Sequence, residues 1–169
     1  WLPDAAGEAT PGSAVLLVGV LDKVGTFGML RYCLPIFPDA ASFYAPAICV
    51  LAVIGVIYGA ILAIGQTDIK RLIAYTSVSH FGFIVLGIVV IDRMAAQGAV
   101  LQMVNHGIST GGLFLCVGVL YERRHTRLIA DFGGLWKAAP IMGGLFVMTA
   151  FASVGLPGLS GFVGEFLAL

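Results

Sequence analysis

Long apolar runs separated by short polar segments make up most of the chain. Each of five runs is long enough to cross a bilayer, whose hydrocarbon core of about 30 Å needs about 20 helical residues. The runs cover about 12–35, 44–65, 71–91, 96–121 and 138–169. Uninterrupted apolar runs of this length are typical of membrane helices. The pattern therefore predicts an all-α integral membrane chain with about five transmembrane helices.

The last run is interrupted at membrane depth. Between Ala150 and Gly161 the sequence concentrates glycine around Pro157. Because proline removes a backbone donor and glycine loosens a helix, this segment predicts that the last helix is discontinuous. In transport proteins such breaks mark ion sites near the midplane of the membrane, whereas the alternative here is a kink without function.

Composition excludes a soluble domain. The chain is 59% hydrophobic and 11% charged, with a mean hydropathy of +1.01, whereas charged residues make up about a quarter of a soluble protein. Nine basic residues balance nine acidic ones without a basic stripe, which argues against a nucleic-acid partner. The three cysteines have no metal-binding spacing. Since the chain does not begin with methionine and ends inside an apolar run, we expect a piece of a longer protein.

The links between the runs predict packing and orientation. The links are short, beginning with one from Pro35 to Phe43, so successive helices are expected to pack as antiparallel neighbours. Alternate crossings place segments 66–70 and 122–137 on one side with six basic residues, against two on the other. By the positive-inside rule both segments are predicted to be cytoplasmic. Lys70 and Arg71 are interpreted as topology signals or lipid headgroup contacts.

Lys23 is the first candidate functional residue. Eleven residues of the run 12–34 lie on each side of it, so a helix here would place its ammonium near the midplane of the bilayer. The alternative, snorkelling to the interface, is further than a lysine side chain reaches. Asp22 points about 100° away on a helix and does not simply neutralise Lys23. Ionisable groups at this depth usually carry protons, ions or ligands.

Two histidines lie in polar stripes within the third and fourth runs. Gln102, His106 and Thr110 repeat at every fourth residue, and Thr76 lies four residues before His80. Such stripes hold ordered water, and histidine exchanges protons near neutral pH. The alternative is hydrogen bonding between helices, which small polar residues commonly provide in membranes.

Glu165 follows the predicted break in the last run. A buried carboxyl group there holds or releases a proton according to its surroundings, and its alternative role is a salt bridge that orients a neighbouring subunit. Lys23, His80, His106 and Glu165 together predict a hydrated proton relay.

Five segments resemble the antiporter-like membrane subunits of respiratory complex I. The most specific is Gln66 to Gly82, QTDIKRLIAYTSVSHFG, and the others are residues 1–5, 18–28, 103–107 and 156–166. The resemblance covers essentially the whole chain. It implies that the complete protein forms a bundle of about fourteen helices built from two inverted repeats, and that residues 1–169 belong to the second half-channel.

The resemblance also implies a role for each candidate residue. Lys23 matches the lysine that bridges the two half-channels, His80 and His106 the histidines of the central hydrated axis, and Glu165 the terminal acid on the broken helix. Ala6 and Gly161 depart from the family pattern, where histidine and asparagine are common. The entry residues of the family's first half-channel lie upstream, so these residues alone are not expected to pump.

The function implied is that of a proton-translocating membrane subunit of a bacterial NADH:quinone oxidoreductase in the inner membrane. Its partners would be other membrane subunits and the lipid bilayer. Flavin and iron–sulfur clusters are expected in partner subunits and no cofactor in this chain, and quinone is not predicted to bind here. The alternatives are a subunit of a multisubunit sodium/proton antiporter or membrane-bound hydrogenase and, in another class, a structural membrane anchor.

Overall fold

The computed structural model describes residues 1–169, and nearly all of them are helical. The helices are α1 Leu2–Glu8, α2 Pro11–Ile36, α3 Pro38–Ile64, α4 Ile69–Val89, α5 Arg93–Arg124, α6 Leu135–Ala138, α7 Pro140–Ser153 and α8 Ser160–Ala168. Helices α2 to α5 are long and apolar enough to cross a membrane, and α7 is a shorter apolar helix. The predicted all-helical membrane architecture is confirmed.

Aspartate caps fix the starts of α4 and α5. The Asp68 carboxylate accepts hydrogen bonds from the backbone N–H groups of Lys70 and Arg71. Asp92 does the same for two N–H groups in the first turn of α5, and these bonds hold the pKa of its carboxyl below the usual range. Because the first N–H groups of a helix have no partner within it, each cap ends the preceding link at a defined residue.

The link between α2 and α3 differs from the predicted connection over residues 35–43. Helix α2 continues to Ile36, and only Phe37 leaves the helical conformation before α3 begins at Pro38. A proline is accepted there because the first turn of a helix needs no N–H donor. Helix α2 packs mainly along α5 and makes few contacts with α3. The expectation that this short link joins packed antiparallel neighbours is therefore wrong.

Helix α5 lies at the centre of the bundle, where it contacts α2, α4, α7 and α8. Glycines allow the closest of these approaches. A Cβ atom added at Gly98 of α5 would lie 2.6 Å from the backbone of α8, and one added at Gly164 of α8 would lie 2.9 Å from Cα of Gln102. Since neither position has room for a larger residue, α8 is held directly against α5.

The last apolar run is broken, as predicted. Helix α7 ends at Ser153 and α8 begins at Ser160. Between them Gly155 and Gly158 have left-handed backbone conformations, with φ of 73° and 98°. Such angles strain residues with a side chain, so the glycines make the turn possible. The break leads directly into the short helix that carries Glu165.

Candidate functional site

His80 on α4 and Glu165 on α8 are in direct contact. The His80 Nδ1 atom lies 2.8 Å from Glu165 Oε1, and the two side chains are 14% and 19% exposed. The atoms are close enough for a proton to pass, although the imidazole is not aligned for an ordinary hydrogen bond. On the other side of the ring, His80 Nε2 lies 3.5 Å from the Ser153 hydroxyl at the end of α7. The imidazole therefore lies between the two helices that border the break.

Two neighbours fix the carboxylate of Glu165. Gln102 Nε2 donates a hydrogen bond of 3.0 Å to Glu165 Oε1. Gly155 lies so close that an added Cβ atom would be 2.6 Å from Glu165 Oε2. The left-handed turn thus brings the interrupted backbone against the acid, and any side chain at residue 155 would displace it. Gln102 was predicted as part of a polar stripe, but its role as the partner of Glu165 was not.

His106 on α5 extends this cluster toward α2. Its ring centroid lies 5.4 Å from that of His80. The residue is 2% exposed, and both ring nitrogens are buried without a hydrogen-bond partner. Buried polar atoms are nearly always paired, and unpaired ones concentrate at sites of catalysis or exchange. The structure therefore brings His106, His80 and Glu165 together in one cluster, and their role as a proton relay stays a prediction.

Lys23 is held differently. It follows a π-helical turn, Leu17–Leu21, and its Nζ atom donates to the carbonyl of Val18. The same ammonium lies 5.4 Å from the centroid of the Phe81 ring. One oxygen of the neighbouring Asp22 is buried without a partner, so the adjacent acid does not neutralise the lysine through a direct hydrogen bond. Single π-turns recur at functional sites in helices, and this one ends two residues before Lys23.

Two open cavities border the candidate residues. One of about 490 Å³ lies between α2 and α5 and includes Lys23 in its lining. The other, of about 340 Å³, lies between α3 and α4 and is lined by His80, Thr76 and Ser79 among others. Lys23 and His80 therefore each border space between helices.

The polar stripes divide into two kinds of hydrogen bond. Asn105 donates to the Ser160 carbonyl at 2.6 Å, and Ser79 donates to Val56 of α3 at 2.9 Å, so these side chains join helices. Thr76 instead donates to a carbonyl of its own helix, Ile73, at 2.8 Å. The alternative of interhelical bonding therefore accounts for part of the stripes but not for His106.

Lys70 is the buried residue whose role the sequence did not reveal. It is 5% exposed, and its Nζ atom donates to the carbonyls of Gly7 at 2.9 Å and Ala9 at 2.5 Å. These are the last carbonyls of α1, which need donors from outside the helix. The interpretation of Lys70 as a headgroup contact is therefore wrong. Its partners lie more than 60 residues earlier in the chain, so no local spacing could have indicated them.

Comparison with known proteins identifies the family. The model described as "NADH:quinone oxidoreductase/Mrp antiporter, TM" matches residues 1–169. The chain belongs to this family. It is 60% identical over all 169 residues to NADH-quinone oxidoreductase subunit M of Mycobacterium tuberculosis and 50% identical to that of Escherichia coli K12. It covers 31% and 33% of these two relatives, so it spans about one third of their length.

Solved structures show the same fold. A chain of respiratory complex I from Thermus thermophilus with bound NADH matches with a TM-score of 0.94 and 39% identity, over 99% of this chain and 36% of that one. A chain of the Mrp complex from Dietzia matches with a TM-score of 0.93 at 24% identity, over 99% and 31%, which shows the fold alone. The resemblance to antiporter-like subunits that the motifs predicted is confirmed.

Proposed function

We propose that this chain is part of a proton-translocating membrane subunit of an NADH:quinone oxidoreductase. The observation that carries the proposal is the contact chain Glu165–His80–His106, buried in a chain that is 60% identical over its whole length to a subunit M. A neutral imidazole accepts a proton on one nitrogen and releases one from the other, and a carboxylate within 2.8 Å receives it.

The contacts between His106, His80 and Glu165 support one order for the proposed relay. Lys23 holds a proton beside the cavity between α2 and α5, and His106 and His80 pass it across α5 and α4. Glu165 receives it at the break between α7 and α8, where Gln102 holds the carboxylate in place. Electron transfer in partner subunits, which carry the flavin and iron–sulfur clusters, supplies the energy. Quinone is used by the assembled complex and not by these residues.

We propose that segments 66–70 and 122–137 face the cytoplasm of a bacterial cell, with the chain in the inner membrane. Two backbone hydrogen bonds support a common side: Ile69 N–H donates to Arg127 at 3.0 Å, and Ile129 N–H donates to Thr67 at 2.9 Å. A single cysteine introduced into segment 122–137 would then react with a membrane-impermeant thiol reagent in inverted vesicles and not in intact spheroplasts. The reverse labelling would contradict the orientation.

A multisubunit sodium/proton antiporter is the second candidate, because a chain of an Mrp complex has the same fold. The identity of 43–60% to curated relatives named as subunit M or chain 4 favours the oxidoreductase. A purely structural anchor is a third reading, in which the polar residues only hold helices together. The unpaired nitrogens of His106 argue against that reading, because a structural residue would be expected to bond across helices.

The test is NADH-driven acidification of inverted vesicles that carry the complete complex. We expect Glu165→Gln, which keeps the shape but cannot ionise, to abolish most of the acidification at matched complex content. Asn105→Asp is not a suitable control, because Asn105 bonds to the break itself. Ser79→Ala is suitable, since it removes an interhelical bond outside the contact chain. Undiminished pumping in Glu165→Gln with normal NADH oxidation would overturn the relay.

A further inference from the structure

One residue, Phe81, contacts both Lys23 and His106 of the proposed relay. Its ring centroid lies 5.4 Å from the Lys23 ammonium and 6.3 Å from the ring centroid of His106, at an interplanar angle of 83°. Phe81 thus touches the two groups between which a proton has to pass. A phenyl ring has no atom that accepts or releases a proton. Phe81 therefore contacts both groups but cannot carry a proton from one to the other.

The ring also favours one protonation state of the lysine. The face of an aromatic ring attracts an ammonium through its quadrupole, and a neutral amine gains much less from that contact. Lys23 Nζ also donates to the carbonyl of Val18, which is not basic enough to take up its proton. Neither of these two contacts provides Lys23 with a proton acceptor.

The backbone under Phe81 is fixed, so its side chain is the part that moves. A Cβ atom added at the next residue, Gly82, would lie 2.5 Å from Val56 and 2.7 Å from the Ala52 carbonyl, which shows that α4 lies directly on α3 at this turn. His80, the residue before, is held by Glu165. An opening between Lys23 and His106 would therefore require only rotation of the Phe81 side chain, with both neighbours in place.

We propose that Phe81 is a gate between Lys23 and the His106–His80–Glu165 group, closed in this structure. When the ring turns away, water enters and connects the ammonium with His106; when it returns, this connection is broken. The gate rests on the proposed relay function, and it gives a residue without a titratable group control over when Lys23 and His106 are connected. Phe81 acts on the proton only through Lys23 and His106 and is a positioning residue.

The experiment compares proton leak in inverted vesicles with the whole complex at matched content. A pH gradient is imposed by an acid jump without NADH, and its decay is followed with a pH-sensitive dye. We expect Phe81→Ala to accelerate the decay several-fold, because water then joins the two sides permanently. Phe81→Leu, which restores an apolar barrier, is expected to decay as slowly as wild type. Phe83→Ala is the matched control, since it removes the same side chain two residues further along α4.

The decisive variant combines Phe81→Ala with Lys23→Ala. If the leak runs through the relay, removing the lysine stops it, and the double variant decays at the wild-type rate. A leak that persists without Lys23, or Phe81→Ala vesicles as tight as wild type, overturns the gate. Should Phe81→Ala complexes fail to assemble, Phe81→Ser, which is also small and admits water, is judged by the same criteria. Normal pumping in Glu165→Gln would instead overturn the relay itself, so the two failures are distinguishable.

Discussion

Two lysines of this chain are withdrawn from solvent within the helix bundle, and they differ in what surrounds them. Lys70 is 5% exposed and donates to two backbone carbonyls at the end of α1. Lys23 is half-buried, reaches one carbonyl, lies over a phenyl ring and borders a cavity of about 490 Å³. The first ammonium has the partners that a fixed charge requires, whereas the second has few partners and room beside it.

Burial alone therefore does not distinguish a functional charged residue from a structural one. A buried charge with all its bonds made stabilises one structure, and its removal leaves the partners unpaired. A buried charge with few bonds is less strongly held in one state, so its proton is free to exchange. We therefore assign Lys70 to the framework and propose Lys23 for the relay. Four predictions test the framework contacts and the contacts of the proposed relay, in order of decreasing effect.

The largest effect on stability is expected for Lys70→Met. The change removes the ammonium that bonds to the carbonyls of Gly7 and Ala9, of which only Gly7 keeps a second charged donor, Arg127. Hydrogen bonds to a charged group contribute about 1.5–3 kcal/mol each. We expect a loss of about 3 kcal/mol, measured as a lower melting temperature of the detergent-solubilised complex and as less assembled complex in membranes. Arg71→Met is the control, because its ion pair with Asp4 is exposed and contributes less than about 1 kcal/mol. Equal losses in the two variants would contradict the framework role of Lys70.

The next effect concerns the contact that holds Glu165 in place. In Gly98→Ala the new Cβ atom would lie 2.6 Å from backbone atoms of α8, and overpacking of this kind costs about 1–3 kcal/mol. We expect a lower melting temperature together with reduced pumping per complex, because the helix that carries Glu165 has to shift. Gly111→Ala on the same helix meets its nearest atom, in Val15, at an ordinary 3.5 Å and should leave both unchanged. Full pumping in Gly98→Ala would show that the position of α8 is not critical.

A smaller effect is expected for Gln102→Leu. The variant keeps an apolar side chain of similar size but removes the hydrogen bond of 3.0 Å to Glu165. The loss of one such bond costs about 1–3 kcal/mol when a partner remains buried. We expect pumping per complex to fall, but less than in Glu165→Gln, with NADH oxidation measured in parallel. A Gln102→Leu complex as inactive as Glu165→Gln would assign the proton transfer to Gln102 as well.

The smallest effect is a pH dependence at the start of α5. The N–H donors of Ala95 and Met94 lower the pKa of Asp92. Above about pH 4, the pKa of an aspartate in the unfolded chain, the cap therefore stabilises the start of the helix. This stabilisation is lost as the pH falls through the lower pKa of Asp92 in the folded chain. Asp92→Asn caps the helix without ionising. Hydrogen exchange at residues 93–96 should therefore become faster toward acid pH, relative to the intrinsic rate, in wild type but not in Asp92→Asn. Identical behaviour of the two would contradict the cap.

The helices and the break that carry the candidate site were predictable from the sequence, but the closest contacts between its residues were not. Run length predicted the four long helices, and the glycines around Pro157 predicted the break, because both are local properties of the chain. The pairs Lys70–Gly7 and Gln102–Glu165 join residues about 60 positions apart, and no periodicity within a helix encodes such a pair. The packing of α2 along α5 was missed for the same reason, since a short link indicates adjacency only when the next helix turns back onto the previous one.

Protons moved per NADH oxidised, in complexes with Lys23→Met and Lys70→Met side by side, test the division between the two lysines most directly. Each value is divided by the amount of assembled complex, so that a loss of assembly is not mistaken for a loss of pumping. We expect complexes with Lys23→Met to assemble but to lose most of their proton transfer. Complexes with Lys70→Met should assemble poorly but pump normally per assembled complex. Normal pumping in assembled Lys23→Met complexes would contradict the division.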